Sequence, residues 1–122
     1  MKNILHADCG SILVEAAIIL PVLLLLVLGG LDLGLGMVAS LRLNFAVEAA
    51  SRCGAIGATP CPDQGSTAQY AAQAAGVPVD AFTVTKVACG ILVSASYQFQ
   101  PTILPAFNLS ATACYPTAPV TS

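Results

Sequence analysis

The sequence predicts an α+β protein: a long N-terminal transmembrane and amphipathic helix packed on a small antiparallel sheet of about three strands, with one short helix. Three observations predict it. An uncharged aliphatic run, Ala16 to Leu31, follows a short polar start. Polar residues then recur at helical spacing toward Ala55. Beyond a turn-rich loop, short stretches suited to strands are broken by glycine and proline.

The apolar run comes first in the chain. Between Ser11 and Leu31 the only charged residue is Glu15. At ~1.5 Å per residue, ~20 residues cover the ~30 Å hydrocarbon core of a bilayer. A segment crossing lipid alone must satisfy its backbone internally, which makes it helical. The helix is expected to run on past Leu31, from about Ser11 to Ala55. Asn44, Glu48 and Arg52 are each four apart and share a face. Glu48 and Arg52 have the favourable order for an ion pair worth ~0.2–0.5 kcal/mol. Leu41, Phe45, Val47 and several alanines lie on the other faces and are expected to cover a small domain or other chains. Gly29, Gly30, Gly34 and Gly36 each cost ~1 kcal/mol relative to alanine, which close packing of other helices would make tolerable. Pro21 predicts a kink.

The division expected is a leader over residues 1–10, a transmembrane part over 11–31, its helical extension over 32–57, and a small disulfide-bonded domain over 58–122. Within that domain, GATPCPDQG reads as a loop. Ser66 or Thr67 is expected to cap a short helix ending at Ala75, stopped by Gly76 and Pro78. Strands are expected at Ala81 to Val87, Ile91 to Phe99 and Leu109 to Tyr115. The second alternates clearly, with Val93, Ala95, Tyr97 and Phe99 on one face and Ser94, Ser96, Gln98 and Gln100 on the other. The final PTAPVTS is expected to be loosely ordered.

Composition narrows the function. The chain is 57% hydrophobic and 8% charged, against ~25% charged in a soluble domain. The formal net charge of −2 and four scattered basic residues give no footprint for nucleic acid. The one histidine, His6, lies in the leader, and the acids are spread out. No Ser–His or Cys–His pair, carboxylate dyad, phosphate loop or dinucleotide fingerprint is suggested. The expectation is a protein without enzymatic activity and without a cofactor. Asp63 and Asp80 are isolated and read as turn residues rather than a calcium site. Asn108-Leu109-Ser110 is a formal glycosylation sequon.

Four of the five cysteines, Cys53, Cys61, Cys89 and Cys114, lie beyond the apolar run. An even set in a small domain reads as a disulfide framework in an oxidising compartment. Three pairings are open. Cys53–Cys61 and Cys89–Cys114 are the expected ones. The first ties the helix end to the Pro-Cys-Pro turn, and the second clamps the flanks of the last hairpin. Zinc binding competes poorly, since no Cys-x-x-Cys pair exists. Cys9 leaves with the leader or stays a thiol. Basic residues count toward the wrong end, with Lys2 before the span and Arg42, Arg52 and Lys86 after it. The cysteines and the motif below outweigh so few charges.

The deciding motif is GSILVE, Gly10 to Glu15, at the edge of the apolar run. A carboxylate in or beside a membrane helix is costly and calls for a partner. An α-amino group, with a reference pKa of ~8, is a cation at neutral pH and one such partner. An ammonium and a carboxylate buried together neutralise each other. A snorkelling glutamate at a helix end is the plain alternative. A secretory signal peptide is another, but Glu15 and Pro21 fit it poorly, and Val38 to Ser40 is a weak cleavage match.

The Gly10 to Glu15 spacing resembles the processing site of type IV prepilins. That resemblance implies cleavage between Gly10 and Ser11 by a prepilin peptidase, and a role for Glu15 in registering one subunit against the next. Within that group the chain resembles the TadE-like minor pilins and pseudopilins of the tight-adherence (Flp-type, type IVb-like) pilus system. GSILVEAAIILPVLLLLVLGGLDLG is similar to the family's opening. AVEAASRCGA, VSASYQFQP and LSATACY follow in the family's order. The leader is less basic than is usual, and Ala16 stands where an aromatic is common.

The resemblance implies a structural or assembly subunit of such a pilus. The alternative is a membrane-anchored periplasmic assembly or binding module outside any filament. Implied partners are the membrane, the prepilin peptidase, the major pilin, sister minor pilins and the inner-membrane assembly platform. The implied place is the bacterial inner membrane, crossed once, with the C-terminal domain in the periplasm and assembly into an extracellular pilus to follow.

Overall fold

The computed structural model describes residues 5 to 118, with side chains from residue 10 onward. The start of the leader, with Lys2, and the end of the tail, from Pro119, lie outside the described residues. Helix α1, Leu5–Ile56, is 52 residues long. It starts before the expected Ser11, because Leu5 to Gly10 hold no proline and a single glycine costs a helix only ~1 kcal/mol. Pro21 lies inside it without ending it.

From Ile12 to Leu31 the aliphatic side chains of α1 stand exposed. Past Leu31 one stripe turns inward: Asp32, Gly36, Leu43, Ala46, Val47 and Ala50. Spacings of three, four and seven, with Ala46 and Val47 adjacent, place them on one helix face. Of the residues expected to cover the domain or other chains, Val47 and the alanines Ala46 and Ala50 face the domain. Val47 is buried, but Leu41 and Phe45 are 70% and 65% exposed. Small residues form much of the contact stripe, so other elements approach the α1 backbone closely where Leu41 or Phe45 would hold them away.

Helix α2, Gln64–Ala75, packs on the later part of α1. Its cap is Asp63, not Ser66 or Thr67. The Ser66 amide donates to Asp63 Oδ1 at 2.7 Å, and the Asp63 amide donates to Ser66 Oγ at 3.1 Å. This reciprocal box satisfies two helix-end donors and sets the start two residues before Ser66. The Ser66 backbone amide, followed by its hydroxyl, holds the Asp63 carboxyl below its ordinary value. Gly76 ends α2 in the left-handed region at φ 71°, and its amide donates to Ala72 O at 2.9 Å. A 3₁₀ turn, Val79–Ala81, leads into the sheet.

Strands β1 (Phe82–Val87), β2 (Gly90–Phe99) and β3 (Phe107–Tyr115) form an antiparallel sheet in that order. The expected alternation in β2 holds. Val93 and Ala95 are buried and Tyr97 and Phe99 half-buried, while Ser96, Gln98 and Gln100 are exposed. Ala88 and Cys89 make the tight β1–β2 turn. Gly90 follows at φ 126°, a region open to glycine, with the Tyr115 carbonyl lying where a side chain would go. Leu43, Ala46, Val47, Ala71, Phe82 and Val93 form the centre of the core.

Cys53 and Cys61 lie at disulfide distance with Cα atoms 5.6 Å apart, and Cys89 and Cys114 with Cα atoms 6.4 Å apart. The second link is not between register partners. Cys114 stands opposite Leu92, so the bridge reaches diagonally from the β1–β2 turn to β3.

Candidate processing and registration site

Gly10, Ser11 and Glu15 follow one another on α1, and all three are exposed. A Cβ built on Gly10 would meet nothing within 4 Å. Among the described residues, no packing within this chain requires glycine at position 10. Glu15 stands on a helix whose neighbouring side chains, Ile12, Val14, Ile18 and Ile19, are aliphatic and exposed. In lipid that setting gives a carboxylate no solvation, so a cationic partner from elsewhere would be stabilising.

The same reasoning applies to a second acid that the sequence reading left without a role. Asp32 follows the last residue of the apolar run and is only 5% exposed. Its Oδ2 accepts the Ile103 amide at 2.7 Å, and its Oδ1 accepts the Thr102 amide at 3.3 Å. Both donors belong to the β2–β3 loop. Four residues along α1, Gly36 lies under the Phe107 ring: a Cβ there would sit 2.8 Å from Phe107 Cζ. Phe107 in turn packs on Phe99, with centroids 5.3 Å apart. Asp32 and Gly36 thus hold the loop end of the β2–β3 hairpin against the helix where its apolar run ends. The available signal was an acid placed directly after an aliphatic run, which has to find donors.

At the other end of the sheet, Arg52 Cζ lies 5.5 Å from the centre of the Tyr115 ring. Among the described residues no ion pair joins Arg52 to Glu48, so the expected i,i+4 pair gives way to a cation–π contact. The two sit beside an open cleft of about 780 Å³ that Phe45, Glu48, Tyr70 and Thr112 also line. The Ser51 hydroxyl on its wall donates to the Glu48 carbonyl at 2.9 Å, and Cys114 is at disulfide distance from Cys89. The Ser51 hydroxyl and the Cys114 sulfur are thus engaged in structural contacts. Among the described residues no cluster of three or more His, Cys, Asp and Glu could hold a metal ion.

These features define a class: an α+β domain on the far part of a long helix whose near part is apolar, exposed and a candidate for a single membrane span. Residues 10–52 match the family model of TadE-like proteins, which bears out the resemblance read from the sequence. The matched segment opens at Gly10, takes in Glu15 and Asp32, and closes at Arg52. No curated protein and no solved structure matches it.

Proposed function

We propose that this chain is a minor pilin or pseudopilin of a tight-adherence pilus. A prepilin peptidase removes the leader between Gly10 and Ser11. The new Ser11 ammonium and Glu15 then register neighbouring subunits, and the domain on α1 lies in the periplasm or on the filament. The major pilin, sister minor pilins and the inner-membrane platform are its partners in assembly. The observation that carries this reading is the exposed GSILVE segment at the head of an exposed aliphatic helix, at the point where the family match begins.

The decisive experiment is the intact mass of the protein extracted from membranes of its native host, with thiol alkylation before and after reduction. The expected mass is that of a chain starting at Ser11 with its four remaining cysteines paired. A full-length mass would overturn the processed-pilin reading and favour a membrane-anchored module outside the filament.

A further inference from the structure

We infer that the β2–β3 loop, with Phe107 at the start of β3, is a second membrane contact: an uncharged shoe that lies in the interfacial layer of the bilayer beside the point on α1 where the aliphatic run ends. The inference rests on α1 being a membrane span and goes beyond it, since a span alone leaves the attached domain free to stand clear of the lipid.

The argument starts from length. Exposed large apolar side chains run along α1 from Ile12 to Leu41, where Arg42 interrupts them; beyond it Phe45 and Ile56 are the only large apolar side chains exposed on α1. At ~1.5 Å per residue this band is about 44 Å long. The hydrocarbon core is ~30 Å thick, and ~40–45 Å with its interfacial regions. The exposed band therefore fills the core and continues into the interface. On the far side that continuation is Leu33, Leu35, Met37, Val38 and Leu41, all exposed.

The loop is fixed at that depth. Asp32 holds the amides of Thr102 and Ile103, and Gly36 receives the ring of Phe107. Its chemistry suits the position. PTILPAF carries no charge, and no charged side chain follows Lys86 anywhere in the sequence. Ile103 is 43% exposed, and Pro105 and Ala106 also face outward. Irregular backbone is tolerated near lipid when its polar groups are satisfied by protein. Asp32 satisfies two of them, and the two amides in turn solvate a carboxylate that sits directly after the aliphatic run. The opposite end of the sheet carries Lys86 and, nearby on α1, Arg52, which suits water. On the loop's side the charged groups besides Asp32 are Asp80, which lines a cleft with Gln98 to Gln100, and Arg42 directly after Leu41, and they mark where the interface gives way to water.

The chain contains no tryptophan, so single tryptophans report position cleanly. The full-length protein is reconstituted in phosphatidylcholine–phosphatidylglycerol vesicles whose acyl chains are brominated near the headgroup or deep in the core. Ile103→Trp is the test and Ala106→Trp a second probe should the first disturb the loop. Val87→Trp is the control of matched exposure at the far end of the sheet, and Leu24→Trp reports the span. Loss of emission from the loop tryptophans in shallow-brominated vesicles, none from Val87→Trp, and loss from Leu24→Trp in deep-brominated ones is the expected result. A loop tryptophan that behaves like Val87→Trp overturns the inference and leaves the span intact. A loop tryptophan shielded from aqueous iodide yet untouched by bromine also overturns it, because protein then covers the loop. If Leu24→Trp is not quenched either, the span itself fails and the loop contact with it.

Discussion

Asp32 Oδ2 accepts the backbone amide of Ile103 at 2.7 Å, joining two residues 71 positions apart in the chain. The bond fixes where on α1 the hairpin's loop end comes to rest. Asp32→Ala leaves the Thr102 and Ile103 amides without their acceptor, and losing hydrogen bonds to a charged group is destabilising. The expected result is a lower melting temperature with faster exchange of those two amides, by hydrogen exchange with mass spectrometry, while α2 keeps its protection. Asp32→Asn retains one acceptor oxygen and should lose less.

Asp63 predicts an acid limb to stability. Its carboxyl titrates below the ordinary 3.8 in the folded chain because Ser66 donates to the charged form. A depressed folded value means stability that is complete above the ordinary value and is lost as pH falls from there through the folded one. Thermal melts should therefore be flat with respect to this group near neutrality and fall below about pH 4. Asp63→Ser keeps a cap with no charge at that position. It should fold with α2 intact and show a weaker acid limb. An unchanged limb would assign the acid sensitivity to other carboxyls.

Gly54 and Gly34 should respond oppositely to a side chain. A Cβ at Gly54 would lie 3.1 Å from the Thr67 side chain and 3.2 Å from Ile91, where α1, α2 and β2 meet. Gly54→Val adds volume to that junction and is expected to cost about 1–3 kcal/mol in a denaturant titration. At Gly34 nothing lies within 4 Å. Gly34→Ala should stabilise the helix by up to about 1 kcal/mol. If Gly34→Ala instead impairs assembly in cells while stabilising the purified chain, another chain packs at that position.

Arg52 and Tyr115 provide a pairwise test on the exposed side of the domain. With the guanidinium carbon 5.5 Å from the ring centre, a double-mutant cycle of Arg52→Gln and Tyr115→Leu should show a coupling of about 0.5–1 kcal/mol. The parallel cycle of Arg52→Gln with Glu48→Gln should show none.

The sheet was legible because β2 carries a period of two that one buried face demands. Val93 and Ala95 on that face pack on α1 as their alternation implies. The inward face of α1 was not legible, because its stretch is apolar on nearly every side. Periodicity alone cannot then separate Leu43 and Ala46, which are buried, from Leu41 and Phe45, which are exposed. The α2 cap was misplaced because Asp63, Ser66 and Thr67 all suit the role, and only the backbone shows that Asp63 takes it. The Asp32 clamp escaped because its partners are main-chain amides of a distant loop, which no side-chain pattern marks.

Gly10 and Glu15 make separable predictions within the proposed function. Both are exposed on α1 and neither packs on the domain, so substitutions there should leave the fold unchanged. Gly10→Leu should block leader removal, giving a full-length mass in membranes and no mature chain. Glu15→Ala keeps the cleavage position and should give the processed mass. Its defect should appear one step later, as loss of the subunit from sheared surface fractions, because the Ser11 ammonium of a neighbour then has no carboxylate to meet in the apolar bundle. Glu15→Asp keeps the charge on a shorter side chain and should recover part of the assembly. A Glu15→Ala chain that is processed and enters filaments at the wild-type level would remove the registration role while leaving the cleavage site standing.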